Sequence, residues 1–203
     1  MSRRRTCTVT DCPLHGQPPV LGDGPNSPVV MLVGEAPGAD EEAFGLPFVG
    51  KSGQELTMYL ERFTKIHREH CYVTNIVKCR PPKNRDPHAD EVLTCTATHL
   101  MQELEDMRPS VVAAVGRVST RWFMGKEVRM DMLHGIPTRC TVAGHGFVLV
   151  PVFHPAYGLH SPRQMRDVIE DFTALGAVVR KQLLVRGQEQ TPTDYRMEED
   201  THE

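Results

Sequence analysis

Short apolar runs and longer amphipathic segments alternate along the chain. The apolar runs, 5 to 7 residues long, are typical of buried strands, and the segments with apolar residues three and four positions apart are typical of helices. The predicted strands are 29–33, 72–77, 111–115 and 147–153, and the predicted helices are 53–66, 89–107, 118–124 and 162–184. This order predicts an α/β fold, a three-layer α/β/α sandwich with a central four-stranded parallel sheet.

Each predicted strand leads into a polar or glycine-containing segment. The first enters Gly34-Glu35-Ala36-Pro37-Gly38, the second contains Asn75, the third ends at Gly116, and the fourth runs into His154. Ligands of such sheets bind beyond the carboxyl ends of the strands. We therefore expect a cleft rimmed by Glu35, Asn75 and His154.

Length and composition favour one domain with a polar tail. Of 203 residues, 1–187 are expected to form a single domain, and 188–203 an acidic disordered tail with six acids and one base. The chain has no apolar run near the roughly 20 residues that cross a bilayer, and no secretory signal. We expect a cytoplasmic protein whose 6 cysteines stay reduced, as metal ligands or buried thiols.

The segment 62–85 is basic although the net charge of the chain is -3. It contains seven lysines and arginines and one acid, Glu69. Such a segment could follow a phosphate backbone, and Arg80, Lys83 and Arg85 are its candidate DNA contacts. The alternative is that these charges only form a solvated face.

Three motifs carry a resemblance to a known family. GEAPGADEEAFGLPFVGKSG at 34–53, YVTNIVKCRPPKNRDP at 72–87 and HPAY at 154–157 resemble, in this order, the family 4 uracil-DNA glycosylases, the iron-sulfur branch of that superfamily. The resemblance covers roughly residues 7–180. It implies a four-stranded parallel sheet between helices, a [4Fe-4S] cluster, and hydrolysis of the bond between uracil and deoxyribose in DNA.

An enzyme that acts on a stacked base must first extrude the nucleotide into a pocket. Uracil recognition therefore requires an aromatic surface on which the base stacks and a polar side chain that hydrogen-bonds its Watson–Crick edge. Phe48 is the candidate platform, with a core aromatic as the alternative. The Asn75 amide can pair with the O4 acceptor and N3–H donor of uracil, whereas cytosine presents the reverse order. A local backbone hydrogen bond is its alternative. Gly34 and Ala36 complete the predicted uracil pocket.

Cleavage moves negative charge to the leaving base and positive charge to the sugar. By analogy with the family, His154 would donate a hydrogen bond to the developing uracil anion. Glu35 would orient a water molecule near C1′, with Glu41 as a possible helper. Alternatively, His154 is a structural residue before a proline, and either acid simply lies near a helix N-terminus.

The loop after the HPAY motif is the candidate DNA wedge. Leu159 would enter the gap left by the everted base, and Arg163 would contact a phosphate. The family pattern resembles HPAYLLR, so Gly158 and His160 replace an apolar and a basic residue here. Backbone amides of 34–38 and 51–53 are further candidate phosphate contacts.

The resemblance also points to four cysteine ligands, Cys7, Cys12, Cys79 and Cys95. The first two are separated by four residues rather than the family's usual two. Four thiolates also suit zinc, and four unlinked thiols are the other alternative. His15 is a reserve ligand, and Cys71 and Cys140 are expected to be free and buried. The cluster would be structural, since hydrolysis transfers no electrons.

The expected protein is a monofunctional uracil-DNA glycosylase that leaves an abasic site. The alternatives are a glycosylase for another modified base and a non-catalytic iron-sulfur DNA-binding module. Uracil-containing DNA is the expected partner, and a monomer the expected state. The acidic tail is a candidate contact for a replication or repair protein.

Overall fold

A five-stranded mixed sheet forms the centre of the protein. The computed structural model describes residues 7 and 9–187, with only the backbone for 186 and 187. The strands are β1 (Val30–Gly34), β2 (Cys71–Asn75), β3 (Val111–Val115), β4 (Thr138–Val142) and β5 (His145–Val152). Their order is β2-β1-β3-β5-β4, and every neighbouring pair is parallel except β4 with β5.

Seven α-helices connect these strands in the described part of the chain. They are α1 (Ala39–Phe44), α2 (Lys51–Tyr59), α3 (Ala89–Cys95), α4 (Met101–Met107), α5 (Arg117–Met124), α6 (Met130–Leu133) and α7 (Pro162–Gly187). A π-helical segment, Leu60–Thr64, extends α2, and another, Thr96–Leu100, joins α3 to α4. Short 3-10 helices occupy Arg68–His70, Pro82–Asn84 and Pro155–Leu159. None of the described helices is long and apolar enough to cross a membrane.

The predicted α/β fold is confirmed, and the sheet requires one correction. All four predicted strands are present and parallel, but the antiparallel strand β4 makes the sheet five-stranded and mixed. Its residues alternate between half-buried and exposed, so β4 lacks the continuous apolar run used to recognise the other strands. Ala143 and Gly144, both with positive φ, form the two-residue turn that returns the chain to β5.

The two faces of the sheet bury separate apolar clusters. Val30 and Leu32 of β1 pack with residues of α2 and α7, whereas Met31 and Val33 pack with residues of α4 and α5. Successive side chains of a strand point to opposite faces, so helices cover both sides. This arrangement leaves the ends of the strands, rather than the faces of the sheet, accessible to a ligand.

Backbone hydrogen bonds hold the loops after β1 and β2 side by side. The predicted second strand extended to Val77, but β2 ends at Asn75. The N–H groups of Ile76 and Val77 then donate to the carbonyls of Gly34 and Glu35. The two loops that follow β1 and β2 are therefore fixed in register with each other. The predicted acidic tail, 188–203, lies outside the described residues.

Candidate active site

A cavity of about 270 Å³ opens at the carboxyl edge of the sheet. It is smaller than the roughly 300–1,000 Å³ of pockets for drug-sized ligands, which suits a single base. Its lining brings together six of the seven residues predicted for the catalytic and uracil sites: Glu35, Ala36, Glu41, Phe48, Asn75 and His154. Gly38 and Ser52 complete the lining. Gly34, the seventh, lies against the side chains of Phe48 and Asn75.

Phe48 is held in a strained backbone conformation beside this cavity. Its φ is 53°, in the left-handed region that bulky residues rarely adopt and that costs of order 1–3 kcal/mol. A Cβ on Gly53 would overlap the Phe48 carbonyl, so α2 can approach this residue only through a glycine. The Phe48 ring is buried, with its centroid 6.2 Å from that of His154.

The Glu41 carboxylate fixes the loop that carries Phe48. One oxygen accepts hydrogen bonds from the N–H groups of Val49 and Gly50, at 2.9 and 2.8 Å, and the other accepts from Gly38 at 3.1 Å. The Arg68 guanidinium donates to the Pro47 carbonyl at 2.6 Å on the other side of Phe48. These contacts stabilise the strained loop, because they satisfy backbone groups that a turn leaves unpaired.

Gly34 allows the aromatic platform and Asn75 to meet. A Cβ at this position would overlap both the Asn75 side-chain oxygen and the tip of the Phe48 ring. Gly34 is the last residue of β1 and lies opposite Asn75 at the end of β2. The close approach of these three residues therefore depends on the absence of a side chain at position 34.

The Asn75 amide faces the cavity with its hydrogen-bonding capacity unused. The residue is only 2% exposed, and its side chain makes no hydrogen bond within the described part of the chain. Its backbone carbonyl instead accepts from Lys78 Nζ at 2.8 Å. The alternative of a local side-chain hydrogen bond is thus not observed. A nearly buried amide needs a partner, which a ligand in the cavity would supply.

The surroundings of His154 favour its neutral form with the proton on Nε2. Burial lowers the pKa of this imidazole, and the Glu41 carboxylate partly opposes that shift. The Ala156 N–H donates to Nδ1 at 3.3 Å, so Nδ1 acts as the acceptor. In a neutral imidazole the other nitrogen then carries the proton. His154 therefore presents an Nε2–H donor without carrying a positive charge.

Glu35 follows β1 directly and is half-buried. Burial raises the pKa of its carboxyl group, and the nearby Asp86 carboxylate raises it further. The guanidinium groups of Arg117 and Arg121 act in the opposite direction. No hydrogen bond to the Glu35 side chain occurs among the described residues, so the carboxylate has free acceptor positions for water.

The predicted basic DNA contacts differ in their surroundings. Arg80 pairs with Glu42 at 3.2 Å and donates to Asn84 at 2.7 Å. Arg85 forms a bidentate pair with the buried Glu91 at 2.8 and 2.5 Å. Lys83 is exposed at the surface. The Arg85 charge thus orders the loop before α3, whereas Lys83 is accessible to a phosphate.

The loop after His154 presents one aliphatic side chain to solvent. Leu159 is 43% exposed at the end of the 3-10 helix Pro155–Leu159, and Arg163 is exposed in the first turn of α7. Gly158 is buried: a Cβ there would lie 3.1 Å from the Tyr59 hydroxyl and 3.3 Å from Val168 Cγ2. The glycine therefore allows this loop to pack tightly on α2 and α7.

The four predicted ligand cysteines meet at one narrow cavity. Cys7, Cys12, Cys79 and Cys95 line it together with apolar residues, Lys78, Thr94 and His99. The His99 Nε2 lies 3.5 Å from Cys7 Sγ. Burial and the proximity of the other cysteines raise the pKa of Cys79 to about 12. No three His, Cys, Asp or Glu side chains of residues 7 and 9–187 are grouped to hold a single metal ion.

The remaining cysteines and the reserve ligand lie elsewhere. His15 is exposed and its Nδ1 contacts the Val9 carbonyl at 3.0 Å, outside the cysteine cavity. Cys71 and Cys140 carry free thiols, as expected, with Cys71 buried and Cys140 partly buried.

Several residues near the cavity were not predicted from the sequence. Ser52 was expected only as a phosphate contact, yet it lines the cavity. Asp86, Arg117 and Arg121 affect the Glu35 carboxylate without touching it. The position of Arg117 directly after Gly116, at the end of a predicted strand, was a signal for it. Asp86 and Arg121 come from other segments, and only tertiary structure brings them close.

Comparisons with known proteins identify the superfamily of the chain. The family model of the Uracil DNA glycosylase superfamily matches residues 21–173. The chain belongs to this superfamily. Its relatives include a type-4 uracil-DNA glycosylase of Thermotoga maritima, 36% identical over 185 residues that cover 89% of this chain and 93% of the relative.

Two further relatives carry the same description. The type-4 uracil-DNA glycosylase of Saccharolobus solfataricus is 36% identical over 157 residues, 75% of this chain and 72% of the relative. That of Archaeoglobus fulgidus is 33% identical over 184 residues, 88% of this chain and 92% of the relative. The similarity thus extends over most of each protein.

Proposed function

We propose that the protein removes uracil from DNA by hydrolysing the N-glycosidic bond of deoxyuridine, leaving an abasic site. One observation carries this proposal: Phe48, Asn75, His154 and Glu35, from four separate segments, line one base-sized cavity. The type-4 uracil-DNA glycosylases to which the chain is similar support the choice of uracil. The substrate is uracil-containing DNA.

Recognition of the base is assigned to Phe48 and Asn75. An everted uracil would stack on the Phe48 ring, and the Asn75 amide would donate to O4 and accept from N3–H. The amide has both groups available in the cavity, and Gly34 allows the Phe48 ring to lie close to it. Cytosine would meet a donor with a donor and an acceptor with an acceptor, so the same amide orientation excludes it.

Bond cleavage is assigned to His154 and Glu35. The Nε2–H of a neutral His154 would stabilise the negative charge that develops on the uracil as the bond breaks. The Glu35 carboxylate would orient the attacking water and stabilise the positive sugar. Glu41, predicted as a helper, has its carboxylate engaged by three backbone N–H groups, which supports a role in holding the Phe48 loop.

A monofunctional reaction follows from the position of Lys78. A lyase step would need a free amine to attack the sugar. Lys78 Nζ is buried and bonded to Glu103 at 2.6 Å, to Thr74 at 2.5 Å and to the Asn75 carbonyl at 2.8 Å. This amine is committed to the protein interior, so we expect hydrolysis without strand cleavage.

We further propose that Cys7, Cys12, Cys79 and Cys95 hold a [4Fe-4S] cluster. Four thiols around one cavity with apolar walls fit the donor set of such a cluster. Four thiolates also suit zinc, and the similarity to type-4 uracil-DNA glycosylases, which is consistent with an iron-sulfur family, supports the cluster. Bound there, the cluster would contribute stability. The cysteines would then tie the N-terminal segment to β2 and α3 as the cluster-binding part of the single 1–187 domain.

DNA contacts and cellular context complete the proposal. Leu159 would enter the gap left by the everted base, while Lys83 and Arg163 would contact phosphates, with smaller contributions from Arg80 and Arg85. We keep the expectation of a cytoplasmic location, where cysteines stay reduced. We keep the expectations of a monomer and of a repair-protein contact through the acidic tail.

The test is a panel of single- and double-stranded oligonucleotides that carry uracil, hypoxanthine or oxidised pyrimidines, treated with alkali after incubation. We expect alkali-dependent cleavage at uracil alone, lost in Asn75→Ala and strongly reduced in His154→Ala. Exposed Glu170→Gln is the matched control and should retain wild-type activity. Release of another base would support the alternative glycosylase, and binding without release would support a non-catalytic module. Undiminished uracil release by both site variants would refute the assigned roles.

A further inference from the structure

A buried carboxylate lies behind the active-site histidine. Asp171 is fully buried on α7, and its Oδ2 accepts a hydrogen bond from the N–H of Phe153 at 2.7 Å. Phe153 directly precedes His154 in the chain. Asp171 Oδ1 lies 2.6 Å from Nδ1 of His134, which follows α6. One side chain thus connects α7, the segment after α6 and the end of β5.

The Phe153 ring is fixed from both directions. It stacks on Tyr157 with ring centroids 4.1 Å apart and an interplanar angle of 11°. The His134 ring lies 4.6 Å away at 39°. The backbone of Phe153 is therefore restrained by Asp171, and its side chain by two aromatic neighbours. Little freedom remains for the peptide that leads into His154.

Gly135 makes the approach of Asp171 possible. A Cβ at this position would lie 3.1 Å from Asp171 Oδ1, and the Gly135 φ of 68° favours glycine. Its N–H donates to the carbonyl of Pro151 in β5 at 2.8 Å. The segment His134-Gly135 therefore makes two contacts. Its Gly135 backbone N–H bonds to β5, and its His134 side chain contacts Asp171.

Building on the proposed function, we infer that Asp171 is a positioning residue for His154, acting through the Phe153 N–H and held in place by His134. An apolar residue of similar size would pack in a protein interior at lower cost than a carboxylate that needs two donors. The carboxylate does what an apolar group cannot, because it fixes one peptide N–H. A donor that stabilises developing charge must lie within a few tenths of an ångström of its place.

Two substitutions separate positioning from packing. Asp171→Leu keeps the volume and removes both acceptors. Asp171→Asn keeps an oxygen for the Phe153 N–H and places its amide N–H group beside His134 Nδ1. Misplacement of a catalytic group by about 1 Å costs on the order of 10²-fold in rate. We therefore expect Asp171→Leu to lower the single-turnover rate constant by about 10²-fold. Asp171→Asn should remain within about threefold of wild type, and affinity for free uracil should change by less than about twofold in both variants.

A double-mutant cycle with His154→Ala tests the route of the effect. If Asp171 acts through His154, Asp171→Leu should cause little further loss once the imidazole is absent. The amide resonance of Phe153 should move in Asp171→Leu and stay near its wild-type position in Asp171→Asn. Glu170→Gln, an exposed neighbour on α7, should match wild type in every measurement.

The outcomes distinguish this inference from the proposed function. Wild-type kcat in Asp171→Leu, or an equal loss in the His154→Ala background, would overturn the positioning role while leaving uracil excision intact. An inactive Asp171→Asn with an unmoved Phe153 resonance would also overturn it. A fully active His154→Ala would instead refute the donor role and this inference with it. Should Asp171→Leu fail to fold, Asp171→Asn and His134→Leu carry the test, with His134→Leu expected to show a partial loss of kcat.

Discussion

The guanidinium of Arg117 lies 3.1 Å from the carboxylate of Asp86, and both groups act on Glu35. Asp86 raises the pKa of Glu35 and Arg117 lowers it. The pair joins the start of α5 to the loop before α3. Because the pair is largely exposed, its members can be replaced with little expected effect on folding.

Separate substitutions of Asp86 and Arg117 should move the acid limb of the pH–activity profile in opposite directions. In the proposed reaction Glu35 orients water as a carboxylate, so activity should fall as the pH drops through its raised pKa. Asp86→Asn removes a negative charge, lowers the pKa of Glu35 and shifts the limb of kcat/KM to lower pH. Arg117→Gln should shift it to higher pH.

Asp131→Asn is the control for this measurement, since Asp131 belongs to an exposed pair with Arg129 and neither residue is among the charges that shift the pKa of Glu35. Its acid limb should coincide with that of wild type. Shifts of the same sign in Asp86→Asn and Arg117→Gln would contradict the assignment of the limb to Glu35.

Gly34→Ala should abolish most uracil excision without unfolding the protein. The new methyl group would overlap the Asn75 oxygen and the Phe48 ring, so it would displace the two groups that hold the base. We expect kcat/KM to fall by about 10²-fold or more. Gly146→Ala is the matched control, because the nearest atom to its Cβ, Thr141 Oγ1, lies at an ordinary 3.9 Å. A Gly34→Ala enzyme of normal activity would exclude the cavity as the uracil site.

Replacement of a proposed cluster ligand should change the iron content. We expect purified Cys79→Ser and Cys95→Ser proteins to contain little iron and to lack the brown colour expected of the wild type, since four thiolates would hold the proposed cluster. Cys140→Ser is the control, because its thiol contacts the Phe123 carbonyl far from the cysteine cavity in the fold. Metal analysis that finds one zinc and no iron in the wild-type protein would overturn the cluster assignment.

The buried pair of Lys78 and Glu103 gives a stability prediction. Lys78 is almost inaccessible, and burial lowers its pKa while Glu103 raises it. Glu103→Gln would leave the lysine without its counter-charge, so the free energy of unfolding should fall by about 3–5 kcal/mol in urea titrations. The exposed neighbour Glu105→Gln should change it by less than about 0.5 kcal/mol. If the two variants unfold at the same urea concentration, Glu103 does not compensate a buried cation.

Much of the fold could be predicted from the sequence, because buried strands and long amphipathic helices carry a periodic signal. The four parallel strands are recognisable for this reason, whereas β4 is an edge strand with Arg139 on its exposed side. Helix α1 is short and contains no buried residue, so it has no apolar face to detect. Both were absent from the predicted elements.

The sequence predicts those parts of the candidate site that lie at the ends of strands. The rule that ligands bind at the carboxyl edge joined Glu35, Asn75 and His154 without coordinates. The hydrogen bonds from the Phe48 loop to Glu41, and those of Asp171 with Phe153 and His134, follow no period and span distant segments. Only the folded backbone shows them.

The order of the strands also limits how base preference can change. Asn75 and His154 follow β2 and β5, which are separated by β1 and β3. Strands in a sheet are held roughly 4.8 Å apart by their hydrogen bonds, so the anchors of these two residues stay about 14 Å apart whatever side chains surround them. A relative adapted to a larger base must therefore remodel the loop that carries Phe48, since the sheet underneath cannot widen.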